Sequence, residues 1–175
     1  MKPLTDFIRS IPDFPKPGIL FRDITTLIEN PEGFRRAVDE LTERAKAFGR
    51  IDKVASPEAR GFVFGAPVAS ALGAGLILMR KPGKLPCATV SVSYQLEYGT
   101  NELHIHTDSI RPGDRILIID DLLATGGTMS GAKNLVEQNG GHVVAVGFVI
   151  ELVDLDGRKK FGTTPVFSLM EFPGH

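Results

Sequence analysis

The sequence is 175 residues long, with 42% hydrophobic and 23% charged residues, a length that predicts one domain able to bury a core without a disulfide or a structural metal. Its one cysteine, Cys87, excludes an internal disulfide and a four-cysteine zinc site, and this favours a reducing compartment. The formal net charge of -1 excludes an overall positive field that would attract nucleic acid or an anionic membrane. Any chemistry with phosphate must therefore be local.

No stretch reaches the length of about 18 apolar residues that a membrane span needs, and the first residues lack the apolar core of a signal peptide. We therefore expect a soluble, cytoplasmic protein.

The first third of the chain predicts an arm, a helix and a strand. Three of the seven residues at 12–18 are proline, which excludes a helix and predicts an ordered arm that covers another part of the protein. Asn30 is the predicted cap of a helix whose apolar residues keep helical spacing until Gly49. A short strand is expected at 53–56.

The next segment is predicted to be largely buried. Residues 62–72 are nearly all apolar or small, which predicts a helix that is buried on most faces. Pro67 predicts a bend in this helix or marks its true start. The apolar run at 76–79 predicts a buried strand.

Two segments with alternating polarity, 88–94 and 102–107, predict the two strands of an arm. The loop that joins them, 95–101, is expected to be exposed. His104 and His106 share one face of the second strand, but no third ligand has the spacing of a zinc site. We interpret them as part of an exposed strand face.

The last part of the chain returns to buried elements. Residues 116–119 are continuously apolar, which predicts a central parallel strand covered on both faces. A helix that ends at Gly140 and strands over 143–150 and 166–168 should follow, and the charged run 154–160 is interpreted as a solvated connection. This order predicts an α/β fold with a mostly parallel central sheet flanked by helices.

The most informative motif is IIDDLLATGGT at 118–128, where a buried strand ends in two acids and a glycine-rich turn opens a helix. Ligands bind at the carboxyl ends of strands in such sheets, and Gly126 and Gly127 let several backbone N–H groups point at one anion. Asp120 and Asp121 can accept hydrogen bonds from a diol or hold a hydrated divalent cation. The motif lacks the Walker lysine and the G-x-G-x-x-G fingerprint. A phosphorylated sugar would bind to both the acids and the glycine-rich turn. The alternative interpretation is a helix N-terminus whose acids are simply solvated.

This motif resembles the phosphoribosyl-pyrophosphate motif of the type I phosphoribosyltransferases. Four further segments resemble the adenine-specific branch of that family, in the same order: PDFPKPGILFRDIT at 12–25, EARGF at 58–62, RKPGKLP at 80–86 and YQLEYG at 94–99. Five segments along nearly the whole chain carry the resemblance, which makes it far more specific than the central motif alone.

The resemblance implies an architecture and a reaction. One phosphoribosyltransferase domain is expected over 1–175, with an N-terminal arm or hood at 1–28 and a core at 29–175 that includes a flexible loop at 95–101. The implied reaction moves the 5-phosphoribosyl group of 5-phosphoribosyl-1-pyrophosphate (PRPP) to N9 of adenine, giving AMP and pyrophosphate in purine salvage. Mg²⁺ is the implied cofactor, held by the substrate and by Asp120 and Asp121 through water, with no direct protein ligand. A homodimer that binds neither nucleic acid nor membrane is also implied.

The resemblance also assigns roles to single residues. The implied catalytic residues are Arg60, Glu97 and Tyr98, with Glu97 handling the imidazole proton of the purine. PRPP binding falls to Asp120, Asp121, Ala124, Thr125, Gly126, Gly127 and Thr128. Pyrophosphate binding falls to Glu58, Ala59, Arg60, Arg80, Lys81 and Lys84. Adenine binding falls to Leu20, Phe21, Arg22 and Leu152.

Two other functions stay open from the sequence. A phosphoribosyltransferase for a 6-oxopurine would often carry a lysine near the base, whereas the segment at 20–22 resembles the adenine type. A non-catalytic PRPP-binding regulator that binds DNA should carry a helix-turn-helix segment and a basic face. A chain of 175 residues at net charge -1 leaves little room for either.

Overall fold

A parallel sheet of five strands forms the centre of the computed structural model, which describes residues 2–95 and 99–174. The strands are β1 (Arg9–Pro12), β2 (Leu20–Asp23), β3 (Lys53–Pro57), β4 (Gly75–Met79), β5 (Thr89–Gln95), β6 (Thr100–His106), β7 (Arg115–Leu123), β8 (His142–Leu152) and β9 (Val166–Phe172). The helices are α1 (Thr25–Ile28), α2 (Pro31–Lys46), α3 (Arg60–Leu72) and α4 (Gly127–Gln138), with short 3-10 turns at Leu4–Phe7, Val153–Leu155 and Gly157–Phe161.

The central sheet has the strand order β4-β3-β7-β8-β9, and each neighbouring pair is parallel. The predicted α/β fold is therefore confirmed. Strands β1 and β2 form a separate antiparallel pair, as do β5 and β6. Among the described residues, no helix is both long enough and apolar enough to cross a membrane.

Strand β7 is covered on both faces, as the apolar run at 116–119 predicts. Leu117 and Ile119 belong to a core on the side of α2 and α3. Ile116 and Ile118 belong to a second core with α4 and the β5–β6 pair. Alternate strand residues point to opposite faces, so continuous apolarity is needed to fill both cores.

The predicted helix after Asn30 is confirmed, and its cap has the expected geometry. The side-chain oxygen of Asn30 accepts a hydrogen bond from the Gly33 N–H at 2.9 Å. Helix α3 begins at Arg60, so the prediction that Pro67 marks its start is wrong. Packing of Phe64 and Val68, both fully buried, against the sheet holds the helix through the proline.

The prediction that 76–79 is a buried strand is only half correct. Leu76 and Leu78 are 36% and 40% exposed, whereas Ile77 and Met79 are buried. The reason is that β4 is the edge strand of the sheet and only one of its faces is covered.

Residues 154–160 are not simply a solvated connection, contrary to the prediction. The Arg158 guanidinium forms an ion pair with Glu151, whose side chain is only 5% exposed. By contrast, the alternation predicted for the second arm strand is confirmed, because Leu103 and Ile105 are buried in β6.

Candidate active site

A cavity of about 350 Å³ opens at the carboxyl ends of β3 and β7. Its lining contains most of the predicted phosphate and pyrophosphate residues, namely Glu58, Ala59, Arg60, Lys81, Asp120, Asp121, Ala124, Thr125, Gly126, Gly127 and Thr128. Segments that lie about 60 residues apart in the sequence are thus brought together where the strands β3 and β7 end.

The sheet topology explains why these segments meet. Strands β3 and β7 are parallel neighbours, so their carboxyl ends lie side by side. Helix α3 starts at Arg60 directly after β3, and α4 starts at Gly127 directly after β7. Both helix N-termini therefore border the same cavity, where their free N–H groups favour anions.

The turn before α4 requires glycine. Gly126 has φ +75°, in the left-handed region, and a Cβ there would lie 2.7 Å from the Gly157 carbonyl oxygen. A side chain would therefore clash and strain the backbone. Residues 124–128, which we call the phosphate turn, all line the cavity, and Gly126 is the one of its two glycines in the left-handed region.

Two carboxylates lie at the base of the cavity. Asp120 Oδ1 accepts the Asp121 N–H at 2.8 Å. Burial raises the pKa of Asp120 well above its ordinary value, and the neighbouring Asp121 charge raises it further. Burial also raises the pKa of Asp121, although the Arg60 charge opposes this.

Arg60 is the cation paired with these acids. Its Nε lies 3.0 Å from Asp121 Oδ2, and the Asp121 side chain is only 3% exposed. This carboxylate oxygen accepts no hydrogen bond from the described residues. A pair of neighbouring acids, Asp121 buried and Asp120 half-buried, suits a hydrated divalent cation, whose waters are hydrogen-bond donors. The residues present therefore fit Mg²⁺ bound through water.

The basic segment at 80–84 is held by Glu58. The Glu58 carboxylate accepts the Lys81 backbone N–H at 2.5 Å and lies 3.5 Å from the Arg80 guanidinium. These interactions, the Lys81 hydrogen bond first, lower the pKa of Glu58. Lys81 lines the cavity, whereas Arg80 and Lys84 are not among its described lining residues. Glu58 thus orients the segment, which the sequence did not suggest.

The predicted adenine residues lie outside this cavity lining, and Phe172 connects the arm residue Arg22 with Leu152. The Arg22 guanidinium lies 4.6 Å from the centre of the Phe172 ring, and Phe172 is the register partner of Leu152 between β9 and β8. Phe21 makes an edge-to-face contact with Phe14 at 5.1 Å between ring centres. Phe172 links the two sides, and its only sequence signal is an aromatic residue at the end of the last strand.

Tyr94 was not assigned a role from the sequence, yet it lines the cavity. Its side chain packs on Gly131 of α4, where a Cβ would lie 2.9 Å from the Tyr94 Cβ. Its place in the YQLEYG segment was the available signal. Glu97 and Tyr98, the other predicted residues of that segment, lie outside the described residues.

Comparison with known proteins gives consistent matches. A family model described as the phosphoribosyl transferase domain matches residues 25–169. An adenine phosphoribosyltransferase from Methylobacterium sp. (strain 4-46) is 56% identical over 174 residues, covering 98% of this chain and 96% of that relative. The crystal structure of adenine phosphoribosyltransferase from Thermoanaerobacter pseudethanolicus superposes with a TM-score of 0.92 at 48% identity, covering 97% of this chain and 98% of the other. The enzyme from Saccharomyces cerevisiae, complexed with an imino-altritol bisphosphate and adenine, gives a TM-score of 0.89 at 38% identity, covering 95% and 96% of the two chains.

Proposed function

Since the chain belongs to the phosphoribosyl transferase family, and within it to the adenine phosphoribosyltransferases, we propose that it transfers the 5-phosphoribosyl group of PRPP to N9 of adenine. The products are AMP and pyrophosphate, and the reaction serves purine salvage. The observation that carries this proposal is that a glycine-rich turn, the acids Asp120 and Asp121, and Arg60 line the same cavity. Identity of 56% over nearly the full length supports adenine as the base.

The phosphate turn binds the 5′-phosphate of PRPP. Its backbone N–H groups lie at the start of α4, where the helix dipole adds favourable charge. Thr125 and Thr128 line the cavity and add hydroxyl donors. The ribose hydroxyls then donate to Asp120 and Asp121, which orients C1′ toward the base.

The part of the cavity lined by Arg60 and Lys81 binds pyrophosphate. Arg60 lines it and carries its charge next to Asp121, and Lys81 adds a second cation. Magnesium bound with PRPP supplies further positive charge to the leaving group. Asp120 and Asp121 would hold this cation through its water ligands. Positive charge that builds at C1′ is stabilised by the same acids.

Adenine binds between the arm and the end of the sheet. Phe21 and Leu152 cover the two faces of the base, and backbone groups of Leu20 and Arg22 contact its edge. The contact between Arg22 and Phe172 supports this placement because it joins the arm to the strand next to Leu152. Glu97 accepts the proton that N9 loses as the bond to C1′ forms, and Tyr98, the next residue in the sequence, is assigned to the same step.

The working form is a homodimer in the cytoplasm that binds neither nucleic acid nor membrane. Leu76 and Leu78 support self-association, because both are exposed on the edge strand β4. The basic segment 80–84 follows this strand directly in the sequence, and one of its cations serves the neighbouring site. Within each chain, we assign residues 1–28 to the hood and 29–175 to the core, with the segment 95–101 counted in the core.

The direct test is an assay of nucleotide formation with Mg²⁺, PRPP and each of adenine, hypoxanthine, guanine and xanthine. We expect AMP from adenine and negligible product from the other bases. Equal rates with hypoxanthine would reassign the protein to the 6-oxopurines. PRPP binding without turnover of any base would favour the regulator.

A further inference from the structure

The turn that begins at Gly157 packs directly behind the phosphate turn. A Cβ on Gly157 would overlap the Ala124 carbonyl oxygen, and a Cβ on Gly126 would lie 2.7 Å from the Gly157 carbonyl oxygen. Two backbone segments are thus in contact with no room for a side chain on either glycine. The position of Gly157 consequently limits the shape that the phosphate turn can take.

The next residue, Arg158, is bonded to two strands of the central sheet. Its Nε and Nη2 donate to the two carboxylate oxygens of Glu151 at 2.6 and 2.5 Å. Its Nη1 donates to the Val166 carbonyl at 2.7 Å, and Nη2 also contacts Ser168 Oγ at 3.0 Å. Ser168 in turn donates to Glu151 at 2.7 Å. Two parallel hydrogen bonds to a buried carboxylate fix the position and orientation of a guanidinium far better than a surface ion pair does.

This network lies behind the site. Glu151 is the register partner of Leu123, the residue before the phosphate turn, and it precedes Leu152. Neither Glu151 nor Arg158 is among the described residues that line the cavity. Their interactions therefore act on the site through the backbone rather than through contact with a ligand.

We infer that Gly157 and Arg158 are positioning residues for the 5′-phosphate, because the Arg158–Glu151 pair holds the Gly157 backbone against the phosphate turn and so orients its N–H donors. This inference rests on the proposed function of the turn. Its consequence is selective: loosening the contact weakens binding of the ribose phosphate end of PRPP and leaves adenine binding nearly unchanged.

Two variants test this, each with a matched control. Gly157→Ala inserts a methyl group against Ala124 and leaves the ion pair intact, and its control is Gly75→Ala, where the new Cβ would meet its nearest neighbour at 3.4 Å. Arg158→Lys removes the bidentate pairing but keeps a charge opposite buried Glu151. Its control is Arg115→Lys, since Arg115 also bonds carbonyls, of Arg50 and Phe48, at the far end of the sheet.

The measurements are kcat, the KM values for PRPP and adenine, and binding of ribose 5-phosphate by calorimetry. Both test variants should raise the KM for PRPP and the Kd for ribose 5-phosphate about tenfold or more, with the KM for adenine changed less than twofold and both controls close to the parent. Unchanged ribose 5-phosphate binding in folded Gly157→Ala would overturn the inference, as would a uniform loss in both test variants and both controls.

The outcome separates this inference from the proposed function. A parent protein that binds ribose 5-phosphate but forms no nucleotide would refute the proposed reaction. Weaker ribose 5-phosphate binding by Gly157→Ala in that protein would still support the positioning role. An active parent whose variants keep their affinity for PRPP would refute the positioning role alone.

Discussion

At the scale of single residues, the neighbouring acids Asp120 and Asp121 dominate the electrostatics of the site. Among the described residues, Arg60 is the cation that acts on both Asp120 and Asp121, so their charges are only partly neutralised in the ligand-free protein. A hydrated cation would offset the remaining negative charge, and substrate hydroxyls would donate hydrogen bonds to the carboxylates. The site is thereby arranged to bind a ligand that carries both, at some expense to the stability of the free enzyme.

The pH dependence of stability should report this arrangement. The folded-state pKa of Asp120 lies well above the ordinary value of 3.8, so the folded protein holds its proton more tightly than the unfolded chain. The free energy of unfolding contributed by this group is present below pH 3.8 and is lost as the pH rises through the raised pKa. Asp120→Asn should flatten that decline and raise the Tm of the ligand-free protein at neutral pH. Parallel profiles of Tm against pH for the two proteins would contradict the assignment.

Glu97 carries a separate prediction about the chemical step. Glu97→Gln should lower kcat about 10²- to 10⁴-fold if Glu97 is the proposed acid or base, because the amide cannot take up the purine proton. Binding of ribose 5-phosphate, measured by calorimetry, should change little. Glu102→Gln, in the same arm, is the control and should retain the parent kcat. A loss confined to PRPP affinity would argue against the acid or base role.

At the scale of elements, the close packing of α3 on β3 places Arg60 at the cavity. A Cβ on Gly65 would overlap Ser56 Oγ and lie 2.8 Å from Ser56 Cβ, with Ser56 fully buried. The Cα of Gly65 therefore packs directly against the Ser56 side chain, with no space for a side chain on the helix at this contact. Such an approach explains a glycine in the middle of a helix, where its conformational freedom is otherwise unfavourable.

Gly65→Ala should accordingly push α3 away from β3. We expect a loss of about 1–3 kcal/mol in the free energy of unfolding from overpacking, measured by urea denaturation. A raised KM for PRPP should accompany it, since Arg60 starts the displaced helix. Gly75→Ala should change neither quantity. A Gly65→Ala protein as stable as the parent would show that the sheet surface adapts to the methyl group.

At the scale of the whole molecule, one edge of the sheet is apolar and open. Leu76 and Leu78 lie on the same face of edge strand β4. An exposed apolar edge strand favours association with another chain. This edge is continuous with Arg80, so self-association there would couple oligomeric state to the site.

The double substitution Leu76→Glu and Leu78→Glu should convert the proposed dimer to a monomer. Sedimentation velocity should show the Kd of the dimer raised about tenfold or more, because four buried carboxylates per interface would oppose association. Val153→Glu is the control, since Val153 is also 40% exposed but lies away from the edge. A monomeric parent protein would refute the homodimer.

The sequence by itself determined the features that depend on local spacing. The apolar run at 116–119, the Asn30 cap and the strand-acid-glycine order of 118–128 each specify one element and its end, because their interactions involve neighbours in the chain. The parallel sheet follows from the alternation of these elements. The position of the phosphate turn at a carboxyl end was predictable for the same reason.

Only the tertiary structure decided which distant segments touch. Exposure of Leu76 and Leu78 depends on β4 being the edge strand, which no local pattern records. The contact of Gly157 with Ala124, and the pairing of Arg158 with Glu151, arise because β7, β8 and β9 are neighbours in the sheet. The order of the strands decides such contacts. The charged run at 154–160 has the same local pattern whether all its residues are solvated or Arg158 pairs with buried Glu151.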